Sequence, residues 1–435
     1  MYKSNAGGFA ELRQYLDNIP VIETHEHYAG YSEAGGNNAG AKDALGFIMD
    51  NYYYLSDYIC AGGNTDFAPE MSARRKFETF QKIYKKSKNT AYARCLAEGL
   101  RICWGIDSIE SLEKITELET RLKTRGPDSY VKTMESLKIR AKVVDLCDIS
   151  ALMDFVDGKR KDQSKYARFA FPLPDFHNIH NETDLLRFQK YLNRTVVCLD
   201  DYLESFDNFL RKAVEFGIVC IKDQTAYRRT IAYGNPARAD AEKIFNEMIF
   251  NPRDIFGDDR VRPLDDWLFQ YSLRKAAQYN LPVQIHTGHM AGIRNDIVKT
   301  NAAHLIPTIE LNQDVRFDLF HGNWPYLDEY LFMGKNYPNV YLNLCWVQSI
   351  DPVYCVELMK RAVMTVPHSK VFAFGGDTGA VEWAAGYLSL AKDNVAAALS
   401  ELADSQWLDM DEAKKIAKDW FFNNPNEFYN LGIRE

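Results

Sequence analysis

Two histidines one residue apart, His25 and His27 in VIETHEH, carry the clearest chemical signal in this chain. Alternate residues of a strand point to one side, so two imidazoles at i and i+2 can share a divalent cation. Taken alone, the pair also fits two polar residues leaving a strand for a loop. Three further positions favour the cation. His286 ends PVQIH, His321 ends RFDLFH and Asp377 ends KVFAFGGD. Each follows a run that should be buried, where an imidazole or carboxylate is costly unless it is hydrogen-bonded, paired or coordinated. A bound divalent ion lowers the pKa of its water toward neutrality. Asp377 can take the proton of that water and pass it to a leaving group. The metal and His321 can stabilise the resulting oxyanion. Zinc suits mixed histidine and carboxylate donors, and Mn, Fe and Ni fit them as well.

A second set of residues points to an anionic substrate. Lys222 ends the apolar run GIVCIK. It reads either as an ammonium holding a substrate carboxylate or as a lysine snorkelling from a strand end to solvent. Tyr227, Arg228 and Arg229 follow in the same loop, and guanidinium groups match carboxylates two bonds at a time. Arg228 is assigned to the site and Arg229 to a surface ion pair. His289 lies three positions after His286 and either caps the loop or touches substrate. His177 and His180 in PLPDFHNIH form an HxxH in a loop context, with a second metal site as the weaker reading. Trp324 and Trp346 either wall a pocket or pack under loops.

These positions need a scaffold that brings separate chain segments to one mouth. Short apolar runs near residues 21, 142, 167, 218, 283, 316, 340 and 371 alternate with helical stretches of ten to eighteen residues, as in LDDYLESFDNFLRKAVEFG. Eight such repeats predict an α/β fold, a (β/α)8 TIM-type barrel with active-site residues at the C-terminal ends of its strands. Between the first and second strands, residues 28–135 read as a long, mainly helical insertion over that mouth. Tyr52, Tyr53, Tyr54 and Trp104 are its candidates for buried aromatic contacts. The whole span 1–435 reads as one barrel domain. A doubly wound open sheet is the alternative, but neither GxGxxG nor GxxxxGK[ST] occurs.

Bulk properties exclude several functions. Fifty Tyr and Phe residues (25 of each) describe a chain with a large core rather than a disordered one. A net charge of -8 with scattered Lys and Arg gives no basic face for nucleic acid. Eight cysteines without a CxxC pair read as reduced thiols. The N-terminus has no signal-peptide apolar segment, and no run approaches the roughly 18 apolar residues of a membrane span. A cytoplasmic location, a small-molecule substrate, no nucleic-acid or membrane partner, and an open question of homo-oligomerisation are the expectations.

The chain resembles the amidohydrolase superfamily, in its amidohydrolase-related (amidohydrolase 2) branch. The likeness rests on THEH at 24–27, IKDQTAYRR at 221–229, QIHTGH at 284–289, LFHGNWP at 319–325 and FGGDT at 374–378. It is specific over residues 218–430, and includes a similar lysine-then-AYR stretch in barrel domains fused to glutamine synthetase-like domains. The long insertion is similar to that of uronate isomerases. The resemblance implies one divalent metal at His25, His27, His286 and Asp377, with Asp377 also shuttling a proton. It implies that His321 binds a second ion or polarises the substrate, and that Lys222 is carboxylated between two metals in the two-metal case. The expected function is a metal-dependent hydrolase of an amide, ester or lactone in a small carboxylated substrate. The alternative is a non-hydrolytic sugar-acid isomerase or decarboxylase. A glycosidase would need paired carboxylates across a cleft, and the strand ends offer histidines instead.

Overall fold

The computed structural model describes residues 3–29, 43–64, 67 and 70–434. Helix α1 (Phe9–Asn18) leads into eight strands: β1 (Val21–Glu26), β2 (Ile139–Val144), β3 (Ala167–Pro172), β4 (Cys220–Asp223), β5 (Val283–Ile285), β6 (Phe317–Leu319), β7 (Val340–Asn343) and β8 (Val371–Phe372). The sheet order is β1 to β8 in sequence, and every neighbouring pair is parallel. Beyond the end of β8 the chain closes the seam. Thr24 N–H donates to the Phe374 carbonyl at 3.0 Å, Asp377 N–H to that of His25 at 3.0 Å, and His27 N–H to that of Thr378 at 3.1 Å. The (β/α)8 barrel expected from the alternating runs is present. One detail differs: of KVFAFGGDT only Val371–Phe372 joins the ladder, because the two glycines and the closing seam bend the chain inward before Asp377.

The strands are short and dry. β1, β4, β5 and β6 are buried at every position, as parallel strands covered by helices must be. Polar side chains nevertheless cross the lumen. Gln284 Nε2 on β5 donates to the Thr24 carbonyl on β1 at 3.0 Å and to the Tyr429 hydroxyl at 2.8 Å. Asn343 Nδ2 donates to Asp318 Oδ2 at 3.1 Å, and the Tyr429 hydroxyl also donates to Asp318. Phe428 and Tyr429 pack with Val143, Ala170, Cys220 and Phe372. The C-terminal segment thereby plugs the mouth at which the strands begin, leaving the opposite mouth for ligands.

The insertion between β1 and β2 is helical: α2 (Ala44–Met49), α3 (Tyr52–Cys60), α4 (Ala73–Ser87), α5 (Ala91–Trp104), α6 (Leu112–Leu122) and α7 (Pro127–Ser136). Asp43, Asn51, Ser72, Thr90 and Ser111 cap the first five of these, each accepting a backbone N–H from the first turn. The glycine-rich stretch 30–40 of the expected insertion lies outside the described residues. α5 crosses the long helix Val381–Asp404, which follows β8, at a glycine pair. A Cβ on Gly99 would stand 2.1 Å from the Glu382 carbonyl oxygen, and one on Gly386 would stand 1.9 Å from that of Cys95. Only two missing side chains let these backbones touch, and this crossing fastens the insertion to the barrel. All eight cysteines are free thiols. No helix among the described residues is long and apolar enough to cross a membrane.

Candidate active site

A cavity of about 890 Å³ opens at the C-terminal mouth. His25, His27, Lys222, Arg228, His286 and Asp377 from the barrel line it, and Met49, Asp50, Tyr52 and Leu55 from the insertion form part of its wall. Tyr53 and Tyr54 are buried behind that wall. Trp104 lies elsewhere, beside Arg125 and Glu382 in a separate depression, because α5 runs away from the mouth toward its crossing.

Strand β1 does not present its histidines by simple alternation. Its register with β2 shifts between Glu23 and Glu26, where three steps on β1 meet two on β2. Such a bulge re-aims side chains beside a site. It brings the rings of His25 and His27 to 4.9 Å, edge to face, and places Glu26 against the chain that follows β8. Thr378 N–H donates to Glu26 Oε2 at 3.0 Å. A Cβ on Gly376 would stand 2.0 Å from Glu26 Oε1, so any side chain there would displace that carboxylate.

Asp377 is the hub. Its Oδ1 lies 2.7 Å from His27 Nε2 and 3.5 Å from His25 Nε2, and its Oδ2 lies 3.6 Å from His321 Nε2. Burial favours the neutral acid, but the His27 hydrogen bond and the surrounding imidazoles outweigh it and hold the carboxyl well below the usual range. His27 is fixed from behind, with Nδ1 2.9 Å from the Asp145 carbonyl and 3.2 Å from Cys147 Sγ. Burial opposes its imidazolium, while Cys147 and Asp377 raise its pKa well above the ordinary value.

The other imidazoles are kept neutral. Burial lowers His25 and His286 well below the ordinary value and brings His321 to about 3. Neutral imidazole is the form that ligates metal. His286 Nδ1 meets His321 Nε2 at 3.0 Å, its Nε2 meets the His289 carbonyl at 2.8 Å, and His321 Nδ1 meets the Cys345 carbonyl at 3.0 Å. Each neutral ring spends its one N–H on a carbonyl, so His286 Nδ1 and His321 Nε2 face each other as lone pairs. The half-buried His289 ring stacks on Trp346 at 5.2 Å and meets Trp324 edge-on at 5.3 Å.

Two groups of donors, each within 4.8 Å of one another, can hold a divalent ion: His25, His27 and Asp145, and His321, Cys345 and Asp377. His25 Nδ1 is buried without a partner, so the first group has an unspent nitrogen, and the donor types fit a divalent cation. His286 falls outside both groups. Asp145 and Cys345 are not among the residues expected from the sequence, although VVD and YLNLC end apolar strand runs in the same way as QIH and DLFH.

On β4, Lys222 is buried and its Nζ has no hydrogen-bond partner. The ammonium lies 4.1 Å over the Phe320 ring and does not snorkel to solvent. Arg228 is exposed at the cavity, whereas Arg229 is buried and paired with Asp266. That pair is internal rather than on the surface, because helix Asp258–Gln278 packs over the loop. Tyr227 sets its ring edge-on to His286 at 4.8 Å. His177 is fully buried 3.0 Å from Asp223 Oδ1, while His180 Nδ1 lies 2.9 Å from the Phe256 carbonyl. The HxxH pair is thus divided between two structural contacts.

Four residues around this mouth adopt left-handed backbone: Cys147 (φ 57°), His321 (φ 64°), Trp346 (φ 63°) and Asp377 (φ 52°). Each costs on the order of 1 kcal/mol or more and persists only where neighbours over-determine it.

Comparisons with known proteins agree with this architecture. Residues 250–431 match the amidohydrolase family. Protein fluG of Emericella nidulans is 28% identical over 178 residues, which are 39% of this chain and 20% of that protein, so the chain spans only about a fifth of that relative's length. Uronate isomerase from Thermotoga maritima has the same fold, with a TM-score of 0.76 at 13% identity over 99% of this chain and 100% of that one. Glucuronate isomerase from Caulobacter crescentus gives 0.73 at 15% over 98% and 94%. A presumptive metal-dependent hydrolase from Lactobacillus casei gives 0.66 at 13% over 97% of each chain. The barrel and the match over residues 250–431, which is less than half of the chain, make it similar to the amidohydrolase family.

Proposed function

We propose that this protein is a divalent-metal-dependent isomerase of a small sugar acid, reversing the order of preference between hydrolase and isomerase that the sequence suggested. The supporting observation is the degree of the structural likeness. Uronate and glucuronate isomerases match at TM-scores of 0.76 and 0.73, above the 0.66 of the hydrolase-type neighbour, which also spans 97% of the chain.

His25, His27 and Asp377 are the proposed ligands of one ion, zinc on donor chemistry, with His286 beside them and Asp145 within reach of the first two. The ion would supply Lewis acidity toward a substrate carbonyl and hydroxyl. Converting an aldose acid to a ketose acid requires a proton taken from the carbon next to the carbonyl and returned to the former carbonyl carbon. A hydroxyl proton moves between the two oxygens. Asp377 is the proposed carrier of the carbon-bound proton, with the His321 ring beside it at 3.6 Å. The Lys222 ammonium and Arg228 supply positive charge for the substrate carboxylate, in a cavity whose low dielectric strengthens that attraction. His289 is the more remote member of this substrate-binding group.

Hydrolysis of an amide, ester or lactone is the second reading, favoured by the family match and by the hydrolase-type neighbour. Incubating the metal-loaded protein in D₂O with hexuronates, and separately with N-acyl and lactone acids, separates the two. Ketose formation with solvent deuterium at the carbon beside the carbonyl is the expected result. Release of an acyl or ring-opened product without any ketose formation would overturn the isomerase reading. Substitution of His27 and of His286 by Ala, followed by metal analysis, tests the ligand set, with the larger loss expected for His27.

A further inference from the structure

The peptide unit joining Asp377 to Thr378 is held from both ends by parts of the chain that share no strand. On its carbonyl, the hydroxyls of Tyr52 and Tyr53 on α3 both donate to the Asp377 oxygen, at 2.6 and 2.5 Å. On its N–H, Thr378 donates to Glu26 Oε2 at 3.0 Å. The next carbonyl, that of Thr378, receives the His27 N–H at 3.1 Å, and the Asp377 N–H is used by the His25 carbonyl at 3.0 Å. A non-glycine residue with φ 52° sits at the centre of these bonds. Its carboxylate position follows from that backbone, because a short aspartate side chain has little reach of its own.

We propose that Tyr52, Tyr53 and Glu26 are positioning residues that clamp this peptide, so that docking of the helical insertion sets the Asp377 carboxylate. The inference rests on the proposed role of Asp377 in metal binding and proton transfer. Nothing in β8 itself could do this work, since the strand ends at Phe372 and two glycines follow before Asp377. The clamp is itself anchored. Asn51, the N-cap of α3, accepts from the Tyr54 N–H at 3.0 Å and from the Tyr387 hydroxyl at 3.1 Å, which ties α3 to helix Val381–Asp404. The Tyr53 ring stacks on Trp346 at 4.3 Å and on Tyr92 at 5.4 Å. Two donors on one acceptor give redundancy: one phenol can be lost with the oxygen still satisfied, whereas loss of both leaves a buried carbonyl unpaired.

The test uses Tyr52→Phe, Tyr53→Phe and the double substitution in the full chain, with Tyr54→Phe as the control. Phe keeps the stacking and removes only the hydroxyl. Tyr54 is on the same helix, and its hydroxyl meets Ser87 Oγ at 3.3 Å away from Asp377. Zn²⁺ affinity is measured by chelator competition, and amide hydrogen exchange is read over the peptide containing residues 374–382. Each single change is expected to weaken Zn²⁺ binding by about 3-fold or less. The double change should weaken it by about 10- to 100-fold, the range found when groups that orient a ligand are removed. Exchange of the 374–382 peptide should rise in step, and Tyr54→Phe should move neither quantity. A double variant with parental Zn²⁺ affinity and parental exchange would overturn the clamp. So would an equal effect of Tyr54→Phe, which would show general loosening of α3. If the parent binds no divalent ion, the metal reading fails by itself and the exchange readout decides the clamp. If the double variant fails to fold, Tyr52→Phe combined with Glu26→Ala, which removes the acceptor of the Thr378 N–H at the opposite end of the peptide, gives the same readouts.

Discussion

The floor and the roof of this cavity are built by different means. The floor consists of imidazoles and carboxylates at strand ends, with the imidazoles fixed through backbone carbonyls: His27 by the carbonyl after β2, His321 by the carbonyl after β7, and His286 by the His289 carbonyl of its own loop. The roof consists of phenols on α3. It has no strand to hold it and depends on a helix crossing at Gly99 and Gly386. The two meet at one peptide, that of Asp377 and Thr378. In such a design the chemistry can stay constant in the ladder while the insertion varies in shape, provided that the insertion still reaches that peptide.

The largest effect should come from breaking the floor at its hub. Asp377→Asn keeps the size of the side chain and one oxygen, but amide oxygen is a poor proton acceptor. With Tyr52, Tyr53 and Glu26 still gripping the backbone, the fold and much of the metal should be retained. The chemical rate should fall at least ~100-fold, the low end for a positioned acid–base group. Metal content and single-turnover rate are measured together. Near-parental turnover in a fully metallated variant would remove Asp377 from proton transfer.

A smaller effect should come from lifting the roof. Gly386→Ala places a Cβ against the Cys95 carbonyl, and both partners are helix backbone that cannot step aside individually. Overpacking of this kind costs about 1–3 kcal/mol. Unfolding in denaturant should show that loss. Quenching of tryptophan fluorescence should also change, because Trp346 stacks under Tyr53 and Tyr92. Unchanged stability and an unchanged spectrum would mean that the insertion is held by contacts other than this crossing.

The same contrast explains what the sequence disclosed. Strand ends are local features: an apolar run followed by His, Asp or Lys marks where a strand meets the mouth, and β1, β2, β4, β5, β6 and β8 end in this way. Asp145 obeys it too and Cys345 closes a similar run, but a lone aspartate or cysteine carries less chemical contrast than HEH. The bulge in β1 has no such signature, since VIETHEH reads as plain alternation. Nor does the contact of Tyr52 and Tyr53 with Asp377, more than three hundred positions away, appear in any periodicity. A phenol donating to a backbone carbonyl depends on how two helices cross, and Gly99 and Gly386 acquire meaning only once each is seen to face the other.

The smallest and most selective effect is expected at the rim between floor and roof, where two adjacent arginines have divergent environments. Arg229 is buried against Asp266 and is committed to holding its loop under helix Asp258–Gln278. Arg228 is exposed and faces the cavity, and lysine could not reproduce its planar, two-bond match to a carboxylate. Removing it leaves no buried charge behind, so Arg228→Ala should leave stability within about 0.5 kcal/mol of the parent. Loss of one charged hydrogen-bonded contact to an anionic substrate is worth about 1.4 kcal/mol, a tenfold change in affinity. The buried Lys222 ammonium remains and should preserve part of the preference for acids. The informative comparison pairs a hexuronate with the neutral hexose that lacks its carboxylate. For Arg228→Ala, kcat/KM should fall about tenfold on the acid and little on the neutral sugar. Raising ionic strength should shrink the difference, because an exposed charge is screened. Equal losses on both sugars would assign Arg228 to the shape of the rim and leave recognition of the carboxylate to Lys222.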